Sequence, residues 1–454
     1  MALRFYIRTY GCQMNERDSE RIRCMLGEQG YQQTFCEEEA DVLIFNTCSV
    51  REKAEDKVIG KVGALRRLKR NAEQAPVIGI VGCMAQNLGR QLLSTLNHVD
   101  FVVGTDQLNQ IPYIIGEVAA GNGPVVAVDR SDSLVNAASS REEGQISAYV
   151  SVMRGCNQFC SYCIVPHVRG REKSRPIPEV VQEVEELVQG GVREIYLLGQ
   201  SITGYGVVEK RQGRADFADC GERPFADLLK AVHEVPGVER IRFTSPHPKF
   251  IDDSVIDAMV NLPKVCNAFH IPLQSGSNRI LERMRRGYTA EMFLSIVSRI
   301  RGAVPECTFS TDVMVGFPGE TEQDFGATRE IMEQAAFEMA YIFKYSPRSG
   351  TEAAALEDDV PQEEKERRNQ VLLADLEGRS ERLNRQIIGR RVQVLVDGPS
   401  PKNPARWKGR SRQNKVCLFE PTEDLQRGAV VEMTVYDATA SALYARVPST
   451  VPAA

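Results

Sequence analysis

The chain opens on short apolar runs set between stretches of helical periodicity. Leu3–Tyr10, Asp41–Thr47 and Pro76–Gly82 are dense in Val, Ile, Phe and Tyr and predict buried strands. Asp18–Gln29 and Glu52–Arg70 return apolar residues every three or four positions and predict amphipathic helices. This alternation over residues 1–128 predicts a parallel α/β domain. The stretch 129–144 (DRSDSLVNAASSREEG) is small and polar and reads as a linker.

A second alternating stretch covers residues 145–380. Its strand candidates are Ala148–Met153, Glu194–Leu198, Arg240–Thr244, Asn267–Leu273, Thr308–Val315 and Ala340–Tyr345. Helical patterns lie between them, at Pro178–Gln189, Phe225–Val235, Asp252–Leu262, Ala290–Arg301 and Glu322–Ala336. Six strands with crossover helices predict an incomplete six-stranded (β/α) barrel, open enough for a bulky substrate. Pro361 then begins a charged helix that reaches Arg385, with proline near the first turn as capping prefers. From 381 to 449 the period shortens to two. Arg391–Val396, Lys415–Phe419, Val430–Val435 and Leu443–Val447 alternate between Gly, Pro and Asp breaks and predict a small antiparallel β-barrel.

Composition removes several classes of function. A chain of 454 residues is too long for one core, and three domains fit it. Hydrophobic residues at 42% and charged residues at 26% are ordinary globular usage, which excludes wholesale disorder. The net charge of -5 excludes a uniformly basic nucleic-acid coat but leaves room for a local basic patch. No run approaches the roughly 18 apolar residues of a membrane helix. The strand-like start at Leu3–Ile7 leaves no room for a signal peptide, so a cytoplasmic location is expected. In a reducing compartment, clustered cysteines mean metal or catalysis and isolated ones are small core residues. The 12 cysteines here include both kinds.

The sharpest cluster is Arg154-Gly155-Cys156-Asn157-Gln158-Phe159-Cys160-Ser161-Tyr162-Cys163, placed directly after a predicted strand. Three thiolates on one short loop can hold three irons of a [4Fe–4S] cube and leave the fourth iron open to a substrate or cofactor. A zinc knuckle is the competing reading, but no fourth Cys or His stands at zinc-finger spacing, His167 being the nearest. The second constellation is dispersed. Cys12, Cys48 and Cys83 each follow a predicted strand, in FYIRTYGC, DVLIFNTC and PVIGIVGC. Carboxyl ends of parallel strands share one edge of a sheet, so these thiols are expected to converge, with Gly and Thr neighbours letting the backbone come close to a cluster.

The loop resembles the signature of the radical S-adenosylmethionine (SAM) enzymes, with Tyr162 as the aromatic before the third cysteine. Thr9–Glu20 (TYGCQMNERDSE), Asn46–Ala54 (NTCSVREKA) and Gly82–Gln86 (GCMAQ) resemble the radical SAM methylthiotransferases. Among these, they are most similar to members that act on isopentenyl-adenosine in tRNA. The likeness continues through Thr244–Pro248 (TSPHP), Pro272–Gly276 (PLQSG) and Gly316–Thr321 (GFPGET). One departure is Gln200-Ser201, where the family usually has asparagine after the glutamine.

The resemblance implies two [4Fe–4S] clusters, one on Cys156, Cys160 and Cys163 and an auxiliary one on Cys12, Cys48 and Cys83. It implies two SAM molecules, one methylating sulfur and one giving the 5′-deoxyadenosyl radical that abstracts hydrogen from C2 of adenine. It also implies tRNA as substrate, an electron donor such as flavodoxin, and a sulfur donor. Tyr162, and by position at the barrel rim Gly199, Gln200, Gln274, Asp312 and Gly316, are candidate cofactor contacts. His247 and His270, at strand ends, suit either ligand contact or a structural hydrogen bond.

From Arg382 to Lys415 ten Lys or Arg residues stand against one acid, Asp397. Lys402, Arg406, Lys408, Arg410, Arg412 and Lys415 are expected around turns of the small barrel, tracking phosphates, with Trp407 stacking a base. This segment resembles the RNA-binding TRAM domain. Cys24, Cys36, Cys220, Cys266, Cys307 and Cys417 have no partner spacing and read as packing or incidental residues. Two rivals remain open: the same chemistry on threonylcarbamoyl-adenosine, and a non-catalytic, metal-containing tRNA-binding protein.

Overall fold

The structure is a computed structural model that describes residues 2–49, 52–71, 75–131 and 144–447. Most of the expected linker (132–143), and residues 448–449 of the expected small barrel, lie outside the described residues. The chain forms two compact units. One comprises residues 1–143, 149–159 and 163–175; the other comprises 144–148, 160–162 and 176–454.

The first unit is built on a six-stranded sheet. Its strands are β1 (Arg4–Tyr10), β2 (Gln32–Gln33), β3 (Val42–Thr47), β4 (Val77–Gly82), β5 (Phe101–Val103) and β6 (Val125–Ala127), in the order β2-β1-β3-β4-β5-β6 and parallel throughout. β3 is buried along its whole length because both faces are covered, as parallel sheets require. Leu43 and Phe45 pack with Val58 and Val62 of the helix Glu52–Ala64. Val42 and Ile44 pack on the other face with Ile22 and Leu26 of the helix Gln13–Glu28. Each such side chain contributes roughly 1.5–3 kcal/mol on burial. The chain runs from β1 outward to β2 and returns to β3 on the opposite side of β1, so β1 and β3 flank a topological switch point. The expected helix Glu52–Arg70 is observed as two, Glu52–Ala64 and Arg66–Asn71. Only three residues long, β5 and β6 carry too little pattern to be read from sequence.

β7 (Ser147–Ser151) enters the second unit at its start, and the short strands β8 (Met153–Arg154) and β9 (Lys173–Ser174) pair beside the cysteine loop. The second unit then contains β10 (Glu194–Leu198), β11 (Arg240–Phe243), β12 (Ala268–His270), β13 (Thr308–Val315) and β14 (Met339–Lys344). They form the sheets β11-β10-β7 and β12-β13-β14, bridged by the parallel pair Ile241 and Val265. This is the incomplete (β/α) barrel, with its strands in chain order. In β13 burial alternates residue by residue: Phe309, Thr311, Val313 and Val315 are buried, while Ser310, Asp312 and Met314 stay half-buried on the other face.

The same unit carries a closed five-stranded barrel of β15 (Arg391–Pro399), β16 (Trp407–Ser411), β17 (Val416–Phe419), β18 (Val430–Ala438) and β19 (Leu443–Arg446). Val394, Val396, Phe419, Met433, Val435 and Leu443 fill it. The basic segment keeps Lys402, Arg406, Arg412 and Lys415 in turns and loops as expected, whereas Trp407, Lys408 and Arg410 lie on the strand β16. WKGRS has no hydrophobic alternation, yet Gly409 and Ser411 face inward. A Cβ at Gly409 would lie 2.3 Å from the Leu395 carbonyl oxygen, so only glycine lets these backbones approach.

Candidate functional site

β1, β3 and β4 run in register, with Tyr10 beside Thr47 and Thr47 beside Gly82, so Cys12, Cys48 and Cys83 leave one edge of the sheet side by side. Cys12 caps the helix Gln13–Glu28, Cys48 donates its N–H to the Tyr10 carbonyl (2.9 Å), and Cys83 starts the helix Cys83–Leu88. The Cys48 thiol hydrogen-bonds Cys12. With that bond, the nearby Arg169 guanidinium, and N–H groups of Asn15 and Met14 aimed at the sulfur, Cys12 is brought down to about 6 despite burial. Burial pushes Cys83 up, and Arg169 works against that push. By contrast, burial pushes Cys307 and Cys417 up to about 12, as expected of inert core thiols.

Arg169 was not legible as a site residue. It ends the helix Val165–Arg169, and Ile164 just before that helix and Val168 within it pack on Cys83. Arg169 is 4% exposed, and its guanidinium binds Asp18 at 2.7 Å. Burial opposes the charge, but Asp18, Cys83 and Cys12 outweigh it and hold the guanidinium protonated. Cys12 and Cys83 share this buried cation, and Cys48 joins them through Cys12, which fits a group ligated through thiolates. The Thr47 hydroxyl next to Cys48 is likewise buried with no hydrogen-bond partner among the described residues. Among those residues no three Cys, His, Asp or Glu side chains close around a single ion. Three thiols without a fourth protein ligand make the donor set of a cube with one open iron.

Asn15 and Asn46 buttress this edge. Asn15 Nδ2 donates to Asn46 Oδ1 (3.0 Å), while Asn46 Nδ2 donates to the Asn15 carbonyl (2.8 Å) and to Ser19 Oγ (2.9 Å). The glycines before Cys12 and Cys83 leave room for these amides. A Cβ at Gly11 would meet Asn15 Oδ1 at 2.4 Å, and one at Gly82, which has φ 93°, would meet Asn46 Oδ1 at 2.3 Å.

Cys156 and Cys163 belong to the first unit, and Cys160, Ser161 and Tyr162 to the second. Gly155 is required before Cys156: its φ is 77° and a Cβ would lie 2.1 Å from the Arg171 carbonyl oxygen. In the second unit, Ser161 donates its N–H to Met284 and its hydroxyl to the Arg283 carbonyl, and accepts from the Ala353 N–H. Cys160 Sγ accepts from Arg286 Nη1 at 3.1 Å. Tyr162 packs edge-on to Phe317.

Of the rim residues, Gly199 is buried after β10, and Gln200 Oε1 and Ser201 Oγ are buried without hydrogen-bond partners among the described residues. Gln274 is buried at φ 67° and donates its N–H to the Asp312 carbonyl (2.8 Å). Asp312 Oδ2 pairs with His270 Nε2 at 3.3 Å, and His270 Nδ1 meets Ser310 Oγ at 3.0 Å. Gly316, at φ 70°, is covered by Lys365. His247 Nδ1 accepts from the Lys249 N–H, so its proton sits on Nε2, which is buried with no partner among the described residues. Burial, with Arg286 and Lys249 adding to it, holds His247 neutral, down to about 2.

Comparison with known proteins matches this frame. Residues 4–104 match an uncharacterized protein family, UPF0004, and residues 150–332 match the radical SAM superfamily. A tRNA-2-methylthio-N(6)-dimethylallyladenosine synthase of Opitutus terrae is 45% identical, the match covering 97% of this chain and 96% of that protein. One of Akkermansia muciniphila is 43% identical over 97% of this chain and 98% of its own. The chain belongs to the tRNA-2-methylthio-N(6)-dimethylallyladenosine synthases.

Among solved structures, the radical SAM methyltransferase TsrM of Kitasatospora setae, with cobalamin and a [4Fe–4S] cluster bound, superposes with a TM-score of 0.56 at 12% identity, over 78% of this chain and 74% of that one; this likeness concerns the fold. As a radical SAM protein this synthase uses SAM and a [4Fe–4S] cluster.

The synthase's basic segment is divided in a way that its sequence did not show. Arg412 donates to the carbonyls of Pro263 (2.6 Å) and Val265 (2.7 Å) and to Asn267 Oδ1 (3.2 Å). Lys415 binds Glu338 and Asn384 Oδ1. Arg410 folds back onto Asn414 (3.3 Å). Arg240 and Arg242 complete the bolt by donating to carbonyls of Gln393, Arg410, Ser411 and Arg412. These bonds fasten the small barrel to the (β/α) barrel. Trp407 packs partly on the small barrel's core. Lys402 is exposed, and Arg406 lies over the Tyr444 ring at 5.5 Å. Beside it Tyr436 lies 6.4 Å from Tyr444 between ring centroids, and Arg446 stacks on Tyr436 at 4.7 Å.

Proposed function

We propose that this chain transfers a methylthio group to C2 of N6-isopentenyl-adenosine next to the anticodon of tRNA, the reaction that its relatives' name describes. The observation that carries the proposal is the convergence of Cys12, Cys48 and Cys83 at one sheet edge, in a chain that also carries the Cys156–Cys160–Cys163 loop. Two three-thiol sets suit two [4Fe–4S] clusters, each with an open iron. When bound, the loop cluster with SAM supplies radical chemistry for a C2–H that no base can remove at neutral pH, and the auxiliary cluster supplies sulfur.

The chain's own residues do the holding. Arg169 compensates the charge of the strand-end thiolates. Tyr162, Gly199, Gln200, Gln274, Asp312 and Gly316 surround SAM in this reading, and the unpartnered oxygens of Gln200 and Ser201 favour a polar ligand there. tRNA phosphates meet Lys402, Arg406, Lys408 and Arg446, with Tyr436 and Tyr444 offering stacking faces. Arg410, Arg412, Lys415 and Trp407 support that surface from within. Functionally the chain divides into the α/β domain (1–128), linker (129–144), radical SAM core (145–380) and RNA-binding barrel (381–449). A cytoplasmic setting supplies tRNA, a low-potential electron donor such as flavodoxin, and a sulfur donor.

Single-cysteine variants test the division. Cys48→Ala keeps about half of the iron, roughly four per chain if both clusters are [4Fe–4S], and still forms 5′-deoxyadenosine but no methylthio nucleoside. Cys160→Ala retains the auxiliary cluster and forms no 5′-deoxyadenosine. Methylthiolation by Cys48→Ala at the wild-type rate refutes the sulfur role. Wild-type protein with intact clusters that never cleaves SAM points to the non-catalytic binding protein. Accumulation of the unmodified isopentenyl nucleoside in a deletion strain identifies the substrate against threonylcarbamoyl-adenosine.

A further inference from the structure

Arg286 is a buried cation that faces a cluster cysteine. It is 7% exposed. Its Nη1 donates to Cys160 Sγ (3.1 Å) and Tyr162 Oη (3.4 Å), its Nε to Tyr288 Oη (3.0 Å), and its Nη2 to the Pro272 carbonyl (3.4 Å). Among the described residues none of these partners is a carboxylate. Comparably buried arginines do hold one: Arg169 pairs with Asp18, Arg242 with Glu194, Arg368 with Glu320 and Arg379 with Glu333. Arg240 spends its donors on backbone carbonyls, with Glu194 close enough to share its charge. Next to Arg286 in sequence, the exposed Arg285 takes Glu352. A guanidinium removed from water is costly to bury without an anion close by.

We infer that this anion is the Cys160 thiolate together with the cluster it ligates, and that Arg286 is a positioning residue that sets that cluster's reduction potential. The inference rests on the radical SAM reading of the loop. A cube held by three thiolates is a net anion, and reduction makes it more negative. A fixed cation hydrogen-bonded to one ligand sulfur therefore stabilises the reduced form more and raises the potential. The same guanidinium ties Cys160 to the cofactor-side loop. Tyr288, which accepts from Arg286, shares its single hydroxyl proton between the carbonyls of Leu273 (2.9 Å) and Pro272 (3.0 Å). These residues immediately precede Gln274, whose left-handed backbone returns its N–H to Asp312.

The test is an EPR-monitored redox titration of the reconstituted holoenzyme, reading the signal that changes when SAM is added, alongside iron retention under a chelator. Arg286→Met should lower the reduction equilibrium constant at least about tenfold, a shift of about 59 mV for one electron, and should release the loop cluster's iron faster. Arg286→Lys should stay close to wild type in potential because the charge remains. Where Arg286→Met does not fold, Arg286→Gln decides, since it keeps a hydrogen-bond donor but not the charge and must show most of the same shift. A wild-type potential in a folded Met or Gln variant overturns the inference and leaves Arg286 a packing residue. Absence of any SAM-responsive signal in wild type refutes the radical SAM reading instead.

Discussion

Replacing Asn46 should disorder the edge that gathers the strand-end cysteines, although Asn46 is not itself a ligand. Its side chain is fully buried and makes three hydrogen bonds, two as donor and one as acceptor. In Asn46→Ala, Asn15 Nδ2 loses its hydrogen-bond partner inside the sheet edge, at about 1–3 kcal/mol. Ser19 keeps its bond to Thr9 (2.8 Å) and adds little. With the small cavity left by the amide, the expected loss is about 2–4 kcal/mol. Hydrogen exchange across Val42–Cys48 measures it: protection should fall by roughly 30- to 1,000-fold, since 1.4 kcal/mol is tenfold. Asn15→Ala should cost a similar amount, and the double variant should cost less than the sum by about 1 kcal/mol or more. A fall in protection of less than tenfold, or strictly additive losses, would refute the role given to the two amides.

Further tests address other parts of the molecule. Arg412→Ala should weaken attachment of the small barrel by roughly 3 kcal/mol, through loss of charge-assisted bonds to two carbonyls, and fluorescence of the single tryptophan, Trp407, should report barrel unfolding at lower urea. Charge reversal at Arg406, Lys408 and Arg446 should weaken tRNA binding and flatten its salt dependence by about 0.7–0.9 per lost phosphate contact, and an unchanged slope would place the phosphates elsewhere. His247, ordinarily 6.5 and about 2 in the fold, makes stability fall with acidity: below pH 6.5 the unfolded chain takes up a proton that the folded chain refuses, at about 1.4 kcal/mol per pH unit. His247→Asn, which retains an acceptor for the Lys249 N–H, should therefore lose less stability than wild type between pH 6.5 and 5 in urea titrations.

Sequence alone determined the features whose signal is local. Strand and helix periods placed β10 and β13 at their observed ends and the barrel helices within a few residues, because each pattern is complete within a dozen positions. The three-cysteine loop was legible for the same reason, and so were the thiols at three strand ends, since parallel strands feeding helices must share an edge. What only tertiary structure decided is which charges meet. Arg169 stands six residues after Cys163, yet its guanidinium serves Cys12 and Cys83. Arg286 lies in MRRGYT, where nothing distinguishes it from Arg285, yet one is buried against Cys160 and the other is exposed against Glu352. The basic segment read as one RNA surface because sequence records charge but not the direction of a side chain. Strand β16 turns Lys408 outward, while the hairpin beyond it commits Arg412 and Lys415 to carbonyls and a carboxylate of the neighbouring barrel. Partner choice for a charged group depends on residues from tens to more than a hundred positions away and on the water excluded between them. Hydrophobic periodicity along the chain carries no record of either.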